Sequence, residues 1–134
     1  MIKVTTPFRG TDSHGSGAFG ASRGSRKHNG IDFSAQPNSR VHSVCAGEVT
    51  KLGYPYSDDL GYRYIQITDT DGYDVRYFYV RPLVVDGDHV GFDEAIGFVQ
   101  DLDQRYKGIT PHIHFEVKKD GEFVDPEKYL KGEM

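Results

Sequence analysis

Two stretches of alternating apolar and polar residues flank an Asp-Gly pair, and this pattern constrains the fold more than any other in the chain. Between residues 62 and 68, Ile65 and Ile67 fall on one face of an extended segment. Asp71-Gly72 is a strong hairpin signal, and a second strand-like stretch covers residues 73–80. The sequence therefore predicts an antiparallel β-hairpin in the middle of the chain.

Other segments extend the β prediction to the rest of the chain. The triplet Asp125-Pro126-Glu127 is typical of an N-cap followed by proline at the first helical position, so a short helix should run through Leu130. Further strand-like runs occur at residues 47–52, 95–100 and 112–118. We expect a mainly antiparallel β protein with long loops and a short C-terminal helix, organised as one domain over residues 1–134.

Residues 10–30 differ from these strand-like segments because six glycines occur among them, separated largely by Ser and Arg. Clusters of this composition predict a long loop rather than a strand or helix. Loops of such length in compact domains are usually functional or mobile.

The balance of charges excludes several kinds of partner. The formal net charge is −4, with the charges spread along the chain, so neither nucleic acid nor an anionic membrane surface is an expected partner.

No segment approaches the ~20 apolar residues of a membrane span. The N-terminal residues do not form a secretory signal, so we expect synthesis in the cytoplasm. The lone Cys45 lies in an apolar run and is interpreted as a small buried hydrophobic residue.

Candidate metal-binding side chains occur in two segments. His28 and Asp32 are four residues apart in a stretch whose Gly30 favours extended chain, where even spacing puts both side chains on one side. His112 and His114 share one face of a predicted strand. Glu116 belongs to that face, whereas the opposite, core-facing positions are Ile113, Phe115 and Val117. Each segment alone also fits ordinary surface residues.

The order of these segments resembles that of the lysostaphin-like (M23-type) zinc metallopeptidases. That family has a His-x-Gly-x-Asp segment, a Gly-x-Val strand, a Tyr-x-His-Leu segment and Pro-His-x-His-Phe-Glu. This chain matches it at residues 28–32, 47–49 and 111–116, and at the closing Asp-Pro and Tyr-Leu pairs. The resemblance covers nearly the whole chain from about residue 20 onward.

The resemblance implies roles for individual residues. His28, Asp32 and His114 would bind one zinc ion per chain, and His112 would act at the reacting centre, polarising the nucleophilic water or stabilising the oxyanion. The implied substrate is the peptide part of bacterial peptidoglycan, cleaved by a monomer. The site of action would be the cell wall or periplasm, after release or delivery, as for a phage lysis protein or a secreted effector. Loops at residues 10–30, 54–60 and 101–110 would wall the cleft.

One position departs from the family pattern. Tyr79 stands where the Tyr-x-His-Leu segment has its histidine. A tyrosine hydroxyl can donate a hydrogen bond to an oxyanion, so we place Tyr79 beside His112 as a catalytic candidate. Strand alternation puts Tyr77 and Tyr79 on one face, and Phe78 and Val80 on the other.

The same stretch, together with the segments around His14 and His28, resembles the leukocyte-derived chemotaxin branch of this family. That branch is understood to consist of zinc-binding signalling proteins without peptidase activity, and it lacks histidine at the position of His112. Two alternatives to a peptidase therefore follow. One is a zinc-stabilised binding module, for which His112 would be unnecessary. The other is a structural zinc site, which needs four protein ligands, whereas three are evident. His14, His42 and His89 are given no role.

Overall fold

The described part of the computed structural model comprises residues 11–12, 15–16, 22–23, 26–27, 30–56, 58, 60–102 and 112–132. Strands dominate it, and they are, in chain order, β1 (Thr11–Asp12), β2 (Gly15–Ser16), β3 (Ser22–Arg23), β4 (Arg26–Lys27), β5 (Ile31–Ser34), β6 (Arg40–His42), β7 (Gly47–Gly53), β8 (Tyr64–Asp69), β9 (Tyr73–Phe78), β10 (Val80–Pro82), β11 (His89–Val90), β12 (Ala95–Val99), β13 (His112–Lys119) and β14 (Glu122–Val124). The helix α1 (Pro126–Lys131) follows them. The antiparallel β architecture expected from the sequence is confirmed.

Most of these strands form one large sheet. Its strand order is β11-β7-β8-β9-β13-β14, and β5 pairs with the first half of β13. Every pairing in it is antiparallel. The long strand β13 therefore has β9 along one edge, and β5 and β14 one after the other along its other edge. This arrangement places β5, from early in the chain, next to β13, from near its end.

A smaller antiparallel sheet, β10-β12-β6, supplies the second layer of the core. One cluster of buried side chains contains members of both sheets, so one face of the large sheet is covered. Cys45 is half-buried against this cluster, and burial raises the pKa of its thiol. The thiol therefore stays protonated, as expected of a small apolar residue.

The central hairpin agrees with its sequence signal. Strands β8 and β9 pair in register, with Ile65 and Ile67 fully buried. Gly72 has φ 86°, a left-handed value that glycine adopts without a steric cost. The carboxylate of Asp69 accepts hydrogen bonds from the backbone N–H groups of Asp71 and Tyr73, at 2.9 Å each. Side chain and backbone thus both favour the turn.

The C-terminal helix also begins where the sequence predicts. The side chain of Asp125 accepts a hydrogen bond from the backbone N–H of Glu127 at 3.0 Å, and Pro126 occupies the first turn. Gly132 ends the helix with φ 72°. Among the described residues, no helix is long and apolar enough to cross a membrane.

The glycine-rich segment at residues 10–30 contains more strand than the sequence predicts. Within its described residues, β1 pairs with β2 and β3 pairs with β4, each in a two-residue antiparallel ladder. The prediction that this segment lacks strands is therefore wrong. Glycine-rich composition weakens a strand but does not prevent two short hairpins in which only backbone groups need to pair.

Candidate metal and catalytic site

The pairing of β5 with β13 brings two of the predicted metal ligands face to face. In this register Asp32 is directly opposite His114. The neighbours of Asp32, Ile31 and Phe33, are in the core, and alternation directs the Asp32 side chain to the other face of the large sheet. Even so, only 1% of Asp32 is exposed. A carboxylate buried this deeply requires partners for its charge.

The alternation predicted for β13 is also present. Ile113, Phe115 and Val117 are fully buried in the core. His112 and His114 lie on the face that carries Asp32. His112 is 4% exposed, so the prediction's alternative of histidines on a solvated surface does not apply.

Asp32 contacts both histidines, each through a different oxygen. Its Oδ1 lies 3.0 Å from Nδ1 of His114, and its Oδ2 lies 3.6 Å from Nε2 of His112. The first separation is a hydrogen bond, and the second is an ion-pair distance too long for one. The carboxylate therefore lies between the two rings and links them.

Glu116 holds the other nitrogen of His114, a role that sequence reasoning did not assign. Its Oε1 lies 2.9 Å from His114 Nε2. The period of two along β13 is the signal that could have identified it, because residues 114 and 116 share a face. His114 is thus held between two carboxylates, one on each ring nitrogen.

A row of polar side chains extends from Glu116 across the sheet. Arg76 is directly opposite Glu116, with Nη1 3.4 Å from Oε2. Gln66 is directly opposite Arg76 and accepts a hydrogen bond from its Nε at 2.8 Å. Gln66 in turn donates to the Thr50 hydroxyl at 3.0 Å. This row fixes the orientation of Glu116 and offsets its charge, because Glu116, Arg76 and Gln66 are opposite one another in register.

The environment of His114 favours its protonated form when no metal ion is bound. Burial by itself lowers the pKa of His114, but the hydrogen bonds and charges of Asp32 and Glu116 outweigh burial and raise the pKa to about 9. A proton on each ring nitrogen therefore faces a carboxylate at neutral pH. A metal ion would take the place of the proton on Nδ1.

Gly30 provides space for the His114 ring. A Cβ atom at this position would lie 3.0 Å from both Cε1 and Nε2 of His114, and 2.3 Å from the backbone oxygen of Phe115. The backbone oxygen cannot move aside without disturbing the pairing of β13. The central glycine of the His-x-Gly-x-Asp segment is therefore required for the close approach of β5 to β13.

Tyr79 lies beside His112, but its backbone does not follow the strand alternation that the sequence predicted. Tyr77 is fully buried in the core, packing against Phe115 with ring centroids 5.4 Å apart, and Val80 is also in the core. The prediction that Tyr77 and Tyr79 share a face is therefore wrong. Alternation fails here because Tyr79 has φ 70°, in the left-handed region, between β9 and β10.

This backbone conformation places two consecutive side chains at the site. The Phe78 ring packs edge-on against His114, with centroids 5.2 Å apart. The Tyr79 ring is perpendicular to His112, with centroids 5.5 Å apart. The rings of Phe78 and Tyr79 therefore line one side of the site, next to its two histidines.

The donor set fits a zinc ion as far as the described residues extend. Two ligands at about 2.0–2.1 Å from one tetrahedral ion are about 3.3 Å apart, close to the 3.0 Å between Asp32 Oδ1 and His114 Nδ1. The other His114 nitrogen faces a carboxylate, one of the usual outer partners of metal-binding histidines. The third predicted ligand, His28, lies outside the described residues. Without it, those residues contain no group of three His, Cys, Asp or Glu side chains that could hold a metal ion.

The chain is also similar in sequence to known proteins. The sequence profile of peptidase family M23 matches residues 26–126. Leukocyte cell-derived chemotaxin-2 of Bos taurus is 27% identical over 128 residues, covering 96% of this chain and 82% of that protein.

Solved structures show the same fold. The catalytic domain of the antimicrobial peptidase lysostaphin from Staphylococcus simulans has a TM-score of 0.65 and 22% identity, covering 86% of this chain and 87% of that one. The catalytic domain of the prophage-encoded M23 protein EnpA from Enterococcus faecalis, in a mutant form, has a TM-score of 0.68 and 24% identity, with 92% of each chain covered.

Proposed function

Because the chain belongs to peptidase family M23, we propose that it is a zinc-dependent endopeptidase that hydrolyses peptide cross-links of bacterial peptidoglycan. The observation that carries the proposal is the position of His112. A binding module or a purely structural metal site needs Asp32 and His114, but has no use for a second, buried histidine whose Nε2 is 3.6 Å from the ligand carboxylate. Peptidoglycan as substrate follows from the family resemblance, and the cell wall or periplasm is then the site of action.

The proposed zinc ligands are His28, Asp32 and His114, with one ion per chain. When bound, zinc would supply the Lewis acidity that activates water and polarises the scissile carbonyl. Glu116 would accept the Nε2–H of His114, which fixes the tautomer and leaves the Nδ1 lone pair directed at the ion. The row through Arg76 and Gln66 would hold Glu116 in that position.

The chemical step would rest on two side chains that are not ligands. His112 would orient the attacking water and take up its proton through a ring nitrogen as the carbonyl carbon is attacked. Tyr79 would donate its hydroxyl hydrogen to the carbonyl oxygen, which gains negative charge in the tetrahedral transition state. The 5.5 Å between the two ring centroids leaves these groups close enough to act on one peptide bond.

Release of soluble fragments from purified peptidoglycan, combined with metal analysis, tests the proposal. The parent protein should contain close to one zinc per chain and solubilise peptidoglycan; a chelator should stop the reaction, and added zinc should restore it. His114→Ala should lose both metal and activity, whereas His112→Ala should keep the metal and lose activity. A parent protein that binds no zinc, or His114→Ala with full zinc, would contradict the metal assignment. Equal loss of metal in both variants would make His112 a ligand.

Two observations favour a second candidate function, a zinc-stabilised binding module. The chain matches a chemotaxin over 96% of its length, and Tyr79 replaces the family's usual histidine. A parent protein that binds zinc but releases nothing from peptidoglycan, together with an equally inactive Tyr79→His, would favour this module over the peptidase.

A further inference from the structure

Tyr79 belongs to a cluster of three tyrosines that lies beside His112. The Tyr56 and Tyr79 rings are stacked, with centroids 6.1 Å apart and planes at 16°. Tyr62 packs edge-on against both, at 5.8 Å from Tyr56 and 6.3 Å from Tyr79. All three rings are at least partly buried. The cluster therefore holds the Tyr79 ring between other rings rather than leaving it to rotate in a loop.

The backbone of Tyr79 is held as firmly as its ring. Its N–H donates to the carbonyl oxygen of Arg63 at 2.8 Å, and its carbonyl oxygen accepts from the N–H of Gln100 at 2.8 Å. A left-handed conformation at a bulky residue is unfavourable and persists only where the surroundings impose it. Two hydrogen bonds from separate segments meet that condition.

The hydroxyl groups of the cluster are used in two different ways. Tyr56 donates a hydrogen bond to the hydroxyl oxygen of Tyr79 at 3.1 Å. Tyr62 instead donates to the backbone oxygen of Asp101 at 2.7 Å, away from the other two. Tyr56 therefore makes a hydrogen bond with the proposed catalytic hydroxyl, whereas the Tyr62 hydroxyl makes one with the backbone at Asp101.

From this geometry we propose that Tyr56 is a positioning residue, which aligns the hydroxyl of Tyr79 for hydrogen bonding to the substrate carbonyl oxygen. The inference rests on the proposed peptidase function. When Tyr56 donates to the Tyr79 oxygen, that oxygen keeps its own hydrogen for donation, and the accepted bond strengthens the donated one. A pair of tyrosines would thus do in this chain what a single histidine does at the corresponding family position.

Peptidoglycan hydrolysis by phenylalanine variants tests the pair, because each replacement removes one oxygen and keeps the ring. Tyr56→Phe should lower the rate of fragment release about threefold to tenfold, the effect of about one neutral hydrogen bond. Tyr62→Phe is the matched control and should keep the parent rate. Tyr56→Phe added to Tyr79→Phe should cause no further loss, since Tyr56 acts only through the Tyr79 hydroxyl. Equal rates for Tyr56→Phe and the parent, or fully additive losses in the double variant, would overturn the inference and leave the peptidase proposal intact.

A spectroscopic measurement decides the hydroxyl contact even if no hydrolysis occurs. With tyrosines labelled at Cζ with ¹³C, the Tyr79 resonance, assigned by its absence in Tyr79→Phe, should shift in Tyr56→Phe and stay in place in Tyr62→Phe. A Tyr79 resonance that does not respond to Tyr56→Phe would overturn the inference. A parent protein without hydrolysis would overturn the proposed catalytic function and, with it, the catalytic role of the pair, whatever the spectrum shows.

Discussion

The Oδ1 atom of Asp32 lies 3.0 Å from the Nδ1 atom of His114, although 82 positions separate the two residues in the chain. Direct pairing of β5 with β13 creates this contact. The opposite ring nitrogen of His114 meets Glu116 at 2.9 Å, so the imidazole cannot turn without breaking a hydrogen bond to a carboxylate. An orientation fixed before metal binding reduces the entropy lost when the ion binds.

Glu116→Gln should weaken zinc binding, because the amide loses the charge that favours the Nε2–H tautomer of His114. Loss of such an outer partner typically costs about 10–100-fold in metal affinity. Competition with a chromophoric chelator measures the affinity. Glu122→Gln changes an exposed carboxylate on β14 and should bind zinc as the parent does. Unchanged affinity in Glu116→Gln would show that Glu116 does not support the ligand.

Gly30→Ala should destabilise the protein and disturb the site together. The added Cβ would meet the Phe115 backbone oxygen at 2.3 Å and the His114 ring at 3.0 Å, so β5 and β13 would have to separate locally. Overpacking of this kind typically lowers the free energy of unfolding by about 1–3 kcal/mol. Urea denaturation with and without zinc measures it. Gly91→Ala is the control, since its Cβ would meet nothing within 4 Å.

The stability of the metal-free protein should fall as the pH rises above neutrality. The folded-state pKa of His114 is raised from 6.5 to about 9, so its protonation stabilises the fold fully below about 6.5, and this contribution is lost as the pH rises through about 9. Denaturant unfolding of chelator-treated protein at several pH values measures the loss. His114→Asn should lack this slope, and a parent protein with no change between pH 6.5 and 9 would contradict the prediction.

The affinity for zinc should change with pH in the opposite direction to the stability of the metal-free protein, because zinc binding displaces the proton on Nδ1 of His114. Zinc affinity should therefore rise with pH over the same window. Calorimetric titration in buffers of different ionisation enthalpy would measure the proton released on binding at neutral pH. Zinc binding without proton release at pH 7 would indicate that Nδ1 is not the atom that binds the ion.

Tyr79→Phe should lower peptidoglycan hydrolysis by ~100-fold or more while fold and zinc content are retained, since one oxyanion donor is typically worth that much. Tyr79→His should recover part of the activity because imidazole can donate in the same place. Fragment release and metal analysis measure both variants. Hydrolysis by Tyr79→Phe at the parent rate would make Tyr79 a packing residue and leave His112 acting alone.

Local rules in the sequence determined the hairpin, the faces of β13 and the start of the helix. An Asp-Gly turn and a period of two act over a few residues, so Ile65, Ile67 and Phe115 could be assigned to the core from their neighbours alone. The same period placed His112 and His114 on one face, and the order of motifs paired them with Asp32. The role of His28 remains a prediction.

Tertiary structure decided what these local rules could not. Gly30 and His114 meet only because β5 and β13 pair, and Glu116, Arg76 and Gln66 form a row only because three strands are in register. The contact of Tyr56 with Tyr79 likewise joins segments 23 residues apart. At Tyr79 the local rule failed altogether, since hydrogen bonds to the Arg63 carbonyl oxygen and from the Gln100 N–H hold a left-handed backbone that the residue would not adopt by itself. Sequence periodicity records which face a residue prefers, whereas long-range pairing determines which partners it meets there and can impose a conformation against that preference.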